Sequence, residues 1–161
     1  MDTFKGSFFT YQDFRNSLQG SSPKPQVWKG SDLASLQRDM QPSDTDIVAL
    51  SSESSIGGCE ILPGTVISMQ WLNPGTTLNG HAHTWWHLFI IQSGRGELTL
   101  GDAEAVAVGS GDVIVVPAWN PHGFVNGSVD EPLVMLNISN MPQVAALSNF
   151  ADQNGRIGVV K

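Results

Sequence analysis

Cations are scarce in this sequence. Lys and Arg total 8 against 15 Asp and Glu in 161 residues, for a net charge of −7 and a pI near 4.8. No basic cluster occurs. Phosphate binding needs clustered Lys and Arg, so nucleic acid and anionic membrane are excluded as partners. Cysteine is almost missing: Cys59 stands alone, which rules out an internal disulfide and fits a reducing cytoplasm. Apolar runs are short, as at Val113-Ile114-Val115-Val116, far from the roughly 20 residues that cross a membrane. Residues 1–5 lack the charged and apolar regions of a signal peptide, so the expected location is the cytoplasm. There is no internal repeat and no low-complexity segment.

The length suits one compact domain with a sizeable core. Residues 1–45 read as an irregular arm packed on that core, with helix-like pieces at 11–18 and 31–40 separated by Gly20-Ser21-Ser22-Pro23-Lys24-Pro25. Ser31 or Asp32 is placed to cap the second piece, because a short polar side chain accepts from the free N–H groups of a first turn. From residue 46 the pattern changes to short β-prone runs at 46–50, 60–62, 65–72, 85–92, 96–100, 105–108, 112–116, 123–126 and 133–138. Gly- and Pro-rich turns separate them. Regular strands at this spacing predict an all-β sandwich or small barrel. Residues 142–150 predict a short helix closing one end.

The sequence contains 4 His, and all fall between residues 81 and 122. His81 and His83 sit two apart, so an extended strand sends both rings off one face. His87 shares their parity, with Trp85, Phe89 and Ile91 on the same face of the next run. His122 follows a strand that ends at Pro117. A single buried His is usually a hydrogen-bonded core residue, but burying several without a metal leaves polar atoms to satisfy. Imidazole suits Fe, Zn, Cu and Ni, so a converging set reads as a transition-metal site.

The spacing carries a resemblance. Gly75, His81, His83, His87 and Gly94 are separated by five, one, three and six residues. This resembles the first motif of the cupin superfamily, with His87 where Glu is usual. Gly111, Pro117, Trp119, His122 and Asn126 resemble the second motif, with Trp119 where Gly is usual. The resemblance implies a jelly-roll β-barrel with a core of about 60–140 inside a cupin domain over 46–161. It also implies one divalent metal held by His81, His83, His87 and His122. Within cupins, Pro117-Ala118-Trp119-Asn120-Pro121-His122 followed by Asp130-Glu131-Pro132-Leu133 is similar to the gentisate 1,2-dioxygenase group, which uses Fe(II) and O₂. Ala82 departs from the Arg common between the first two ligands of that group, and a single cupin is smaller than its usual two-cupin members.

No Asp or Glu occurs between Glu60 and Glu97, so no sequence neighbour replaces the carboxylate lost at His87. Neutral ligands leave a divalent ion its full charge, favouring an anionic, chelating substrate. Four imidazoles on an octahedral ion leave two cis positions for it. Trp85, Trp119, Met69 and Trp71 are the expected pocket walls, while Trp86 points away by parity. The expected activity is an Fe(II) dioxygenase cleaving a small aromatic or β-dicarbonyl compound. The alternatives are a Zn or Ni cyclase, isomerase or lyase, or a metal-stabilised binding module. Mn and Cu also suit the ligands. The expected partners are a small-molecule substrate and a second copy of the chain in a homodimer.

Overall fold

Strand β2 (Val66–Leu72) is buried on both faces, and this organises the molecule. The computed structural model describes residues 10–12, 15, 24–40, 47–53 and 58–156. Most of the helix expected at 11–18, and the first residue of the strand expected at 46–50, lie outside them. Around β2 stand β1 (Ile47–Ala49), β3 (Thr77–His81), β4 (His87–Ser93), β5 (Arg95–Leu100), β6 (Val106–Gly109), β7 (Val113–Val116), β8 (His122–Val125) and β9 (Leu133–Ser139). A hairpin of β10 (Ala151–Asp152) and β11 (Gly155–Arg156) follows, and the helices are α1 (Gly30–Met40) and α2 (Met141–Ala146).

The strands form a five-stranded sheet in the order β1-β2-β9-β4-β7 and a four-stranded sheet in the order β3-β8-β5-β6. All pairings are antiparallel. The two sheets face each other as in a jelly roll. Their edges are not hydrogen-bonded into a closed barrel among the described residues, so the expected barrel is an open two-sheet form. The run expected at 60–62 is not a strand. Leu62 makes only an isolated bridge to Thr65 across the turn at Pro63-Gly64.

Alternation builds the core. On β9 each second residue is buried, and Leu133 and Met135 join Leu72, Phe89, Ile91, Ile114 and Val116 of the same sheet. They meet Leu98, Val108 and Phe124 of the facing sheet. On β2 the other parity, Met69 and Trp71, packs with Leu50 against Trp28, Leu33 and Leu36. Leu33 and Leu36 stand three apart on α1, as one face of a helix requires. Two glycines permit close approaches. A Cβ on Gly94, where φ is +79°, would come within 2.2 Å of the Pro132 carbonyl oxygen. A Cβ on Gly123 would come within 2.7 Å of the Leu78 carbonyl oxygen, so Gly123 allows β3 to lie tightly on β8. Asn126 is fully buried, donating through Nδ2 to the carbonyls of Leu72 and Glu131 at 2.8 Å each. It thereby ties the end of β2 to the loop after β8. No described helix is long and apolar enough to cross a membrane.

Trp71 is 2% exposed and faces α1. Trp71→Ala should lower stability by about 3–5 kcal/mol through lost burial and a residual cavity. Because the change lies on the far side of β2, folded variant should retain the metal content of the parent. Denaturant midpoints and elemental analysis of the folded fraction check both parts.

Candidate metal centre

The histidines meet at one end of the gap between the sheets. β3 and β8 pair with His81 opposite His122, and the ring centroids are 4.4 Å apart. His81 ends β3, so the extended run expected through His83 does not continue as a strand. Residues 82–86 instead cross to the other sheet, where His87 opens β4. His83 lies on this crossing and makes an isolated antiparallel bridge to Asp152.

Ring orientation is set by the Nδ1 side of each imidazole. Nδ1 of His81 lies 2.9 Å from the Asn79 carbonyl oxygen, and that of His83 lies 2.9 Å from the Trp85 carbonyl oxygen. Nδ1 of His122 lies 3.0 Å from the Asn120 carbonyl oxygen. A carbonyl oxygen only accepts, so each Nδ1 carries the proton and each neutral ring presents Nε2 as a lone pair. His87 repeats the arrangement with a side chain, donating from Nδ1 to Asn137 Oδ1 at 2.7 Å. Its Nε2 then faces Nε2 of His83 at 3.0 Å.

With the proton on Nδ1 in both rings, the two Nε2 atoms face each other as acceptors, and a shared proton or a cation between them satisfies both. Burial opposes the proton. It is the main cause that lowers His87 from the ordinary 6.5 to about 3 and His83 to about 4, with neighbouring histidines adding to the effect. His122 is lowered as well, again chiefly by burial. A metal ion fits the donor set better. Two imidazole nitrogens bound to one ion at roughly 2.1 Å and at a right angle stand about 3.0 Å apart. The ligating atoms of His81, His83 and His122 lie within 4.8 Å of one another. His87 is outside that trio and joins it through His83.

The histidines open into a cavity of about 510 Å³. Trp85 lines it, stacked on His83 at 3.7 Å and 2°, with Phe150 on a tilted stack at 4.7 Å. The other expected pocket residues stand elsewhere. Met69 and Trp71 pack under α1, because the opposite parity of β2 faces the cavity. Trp119 is 51% exposed with φ +62°, a left-handed conformation that explains why the motif favours Gly there. Its backbone still matters, since Trp119 N–H donates to the His83 carbonyl oxygen at 2.7 Å.

Sequence reasoning missed the polar wall formed by Ser68, Gln70, Asn137 and Ser139, together with Asp152 and Gln153 of the hairpin region. The first four carried a signal: they are polar residues at the inward parity of β2 and β9. Gln153 grips the crossing segment, accepting from Ala82 N–H at 2.7 Å and returning its own N–H to the Ala82 carbonyl at 3.0 Å.

Residues 68–139 match the family described as Cupin domain. A gentisate 1,2-dioxygenase from a Streptomyces species is 26% identical over 143 residues, covering 82% of this chain and 40% of that protein. The salicylate 1,2-dioxygenase of Pseudaminobacter salicylatoxidans superposes with a TM-score of 0.61 at 20% identity, covering 76% of this chain and 35% of that one. The plu4264 protein of Photorhabdus luminescens superposes with a TM-score of 0.50 at 22% identity, over 61% of this chain and 76% of that one. The chain thus spans well under half the length of both dioxygenases. Motif spacing, two-sheet topology and the match over residues 68–139 agree, and that stretch is similar to a cupin domain.

Proposed function

We propose that the chain is a metal-dependent cupin enzyme, with Fe(II) as its metal, that opens a small aromatic or β-dicarbonyl compound using O₂. The observation that carries this reading is the approach of the His83 and His87 Nε2 atoms to 3.0 Å beside the His81–His83–His122 cluster. In this reading the trio holds the ion and His87 supplies a fourth, weaker donor. Bound iron supplies Lewis acidity and redox chemistry at the inner end of the cavity. The protein supplies the rest. The Nδ1–H bonds fix each ring, while Leu78, Phe89 and Met141 exclude water from one side. The neutral amides of Gln70 and Asn137 and the hydroxyls of Ser68 and Ser139 offer hydrogen bonds to a bound molecule. The relatives described as gentisate and salicylate dioxygenases support the redox choice. A second reading, a Zn or Ni Lewis-acid enzyme, is favoured by the histidine cluster's containing no carboxylate among the described residues.

Oxygen uptake separates the two. The Fe(II) form should consume O₂ with catechols, salicylate or acetylacetone in an oxygen electrode, and the Zn form should not. Turnover by the Zn form without O₂ overturns the dioxygenase. For the ligands, His81→Ala with His83→Ala should abolish metal content in elemental analysis, whereas His87→Ala should retain the metal with reduced affinity. Full occupancy in the double variant removes the assignment.

The buried imidazoles also set a pH dependence. With folded values depressed below 6.5, the unfolded chain binds more protons than the folded one between about 6.5 and about 4. Stability of the metal-free protein should therefore fall as pH drops through that window, and these groups should contribute no slope above it. Denaturation midpoints measured on chelator-treated protein from pH 8 to pH 4 check this, and a flat profile contradicts it.

A further inference from the structure

Among the described residues lining the cavity, Asp152 is the one carboxylate and there is no Lys or Arg. The isolated antiparallel bridge pairs Asp152 with His83. Directly opposed residues send their side chains off the same face, with Cβ atoms about 5 Å apart. The carboxylate therefore leaves the backbone on the side taken by the ligand imidazole.

Its position is fixed. Asp152 Oδ1 accepts Asn154 N–H at 2.7 Å within the hairpin turn. The flanking residues are held to the crossing segment. Thr84 N–H donates to the Ala151 carbonyl at 2.9 Å, Gln153 grips Ala82, and Phe150 stacks on Trp85. A charge held this firmly at a half-buried wall acts on a ligand more strongly than one on a mobile surface side chain.

We propose that Asp152 selects the ligand class: a two-oxygen or oxygen–nitrogen chelator with no free carboxylate, such as a catechol, an aminophenol or an enolised diketone, carrying an N–H or O–H toward Asp152. This rests on the chelating reading of the histidine cluster. The metal attracts the anionic chelating end at short range. A carboxylate elsewhere on the ligand meets a like charge at Asp152 and, among the described lining residues, no cation to pair with. The remaining polar wall of Gln70, Asn137, Ser68 and Ser139 is neutral and compensates neither charge. The likeness to dioxygenases named for gentisate and salicylate therefore does not extend to a ligand whose carboxylate lies away from the chelating end.

The test uses the full chain loaded with Co(II), whose absorption spectrum reads chelator binding without turnover, in anaerobic titrations. 4-Methylcatechol and 3,4-dihydroxybenzoate present the same diol and differ at the far end by a methyl group or a carboxylate. The wild type should bind 4-methylcatechol at least about tenfold more tightly. Asp152→Asn, which keeps an oxygen for the Asn154 N–H, should narrow the gap several-fold by tightening the carboxylate ligand. Asp152→Ser should do the same if the turn tolerates only a shorter cap. Equal affinities in the wild type, or an unchanged gap in both variants, overturn the proposal while leaving the chelating site intact. Loss of cobalt from Asp152→Asn makes Asp152 a metal ligand and also overturns it. A cobalt spectrum unmoved by either compound removes the chelating reading and this inference with it.

Discussion

Two imidazole lone pairs facing each other across 3.0 Å constrain everything built around them. His83 and His87 are each held from behind, one by the Trp85 carbonyl, which only accepts, and one by the Asn137 amide. A proton shared between them relieves the contact in water but not here, because desolvation is the largest force on both rings and disfavours the charged form. A divalent ion bonded directly to the lone pairs offsets the same desolvation. The burial that makes protonation costly is produced by the core itself: Phe89 stacks on His87 at 4.8 Å and in turn packs edge-on against Phe124. The packing that buries these rings is thus also what keeps them neutral and able to accept a cation.

Holding this arrangement falls to an irregular stretch of backbone. Residues 82–86 leave one sheet before joining the other, so sheet hydrogen bonds do not satisfy them, and a buried segment without partners is costly. Several of its groups find partners outside the two large sheets. Ala82 uses Gln153, Thr84 uses Ala151, the His83 carbonyl accepts from Trp119, and Trp86 N–H donates to Asn140 Oδ1 at 3.0 Å. Three of those partners, Asn140, Ala151 and Gln153, lie beyond the family-matched residues 68–139. The ligand geometry depends on sequence outside the matched domain.

The strands and the histidines were legible because period-two alternation and imidazole spacing are local properties. Eight of the nine expected runs contain or overlap a strand, and all the histidines reach one end of the sandwich. β3 escaped notice because Asn79 and Gly80 have poor strand propensity, and only its pairing with β8 makes it a strand. The β10–β11 hairpin has two-residue strands that carry no periodicity of their own. The orientation of β2 was misread for a more general reason. Apolar residues normally face inward, yet Ser68 and Gln70 face the cavity while Met69 and Trp71 face α1. A strand between a polar cavity and an apolar helix shows inverted amphipathicity, and the sequence alone does not say which side holds the cavity.

The position between the first two histidines links the missing cation to the added carboxylate. Ala82 has the parity opposite to His81 and His83, is only 8% exposed, and does not line the cavity. Its N–H and carbonyl are both taken by Gln153. A long side chain at this point would project into the region where the hairpin docks, because the Gln153 contact requires close backbone approach. A small residue at 82 admits the hairpin, and the hairpin brings Asp152 opposite His83. The charge beside the histidine cluster is brought by the hairpin, and the small side chain between the first two histidines lets that hairpin dock.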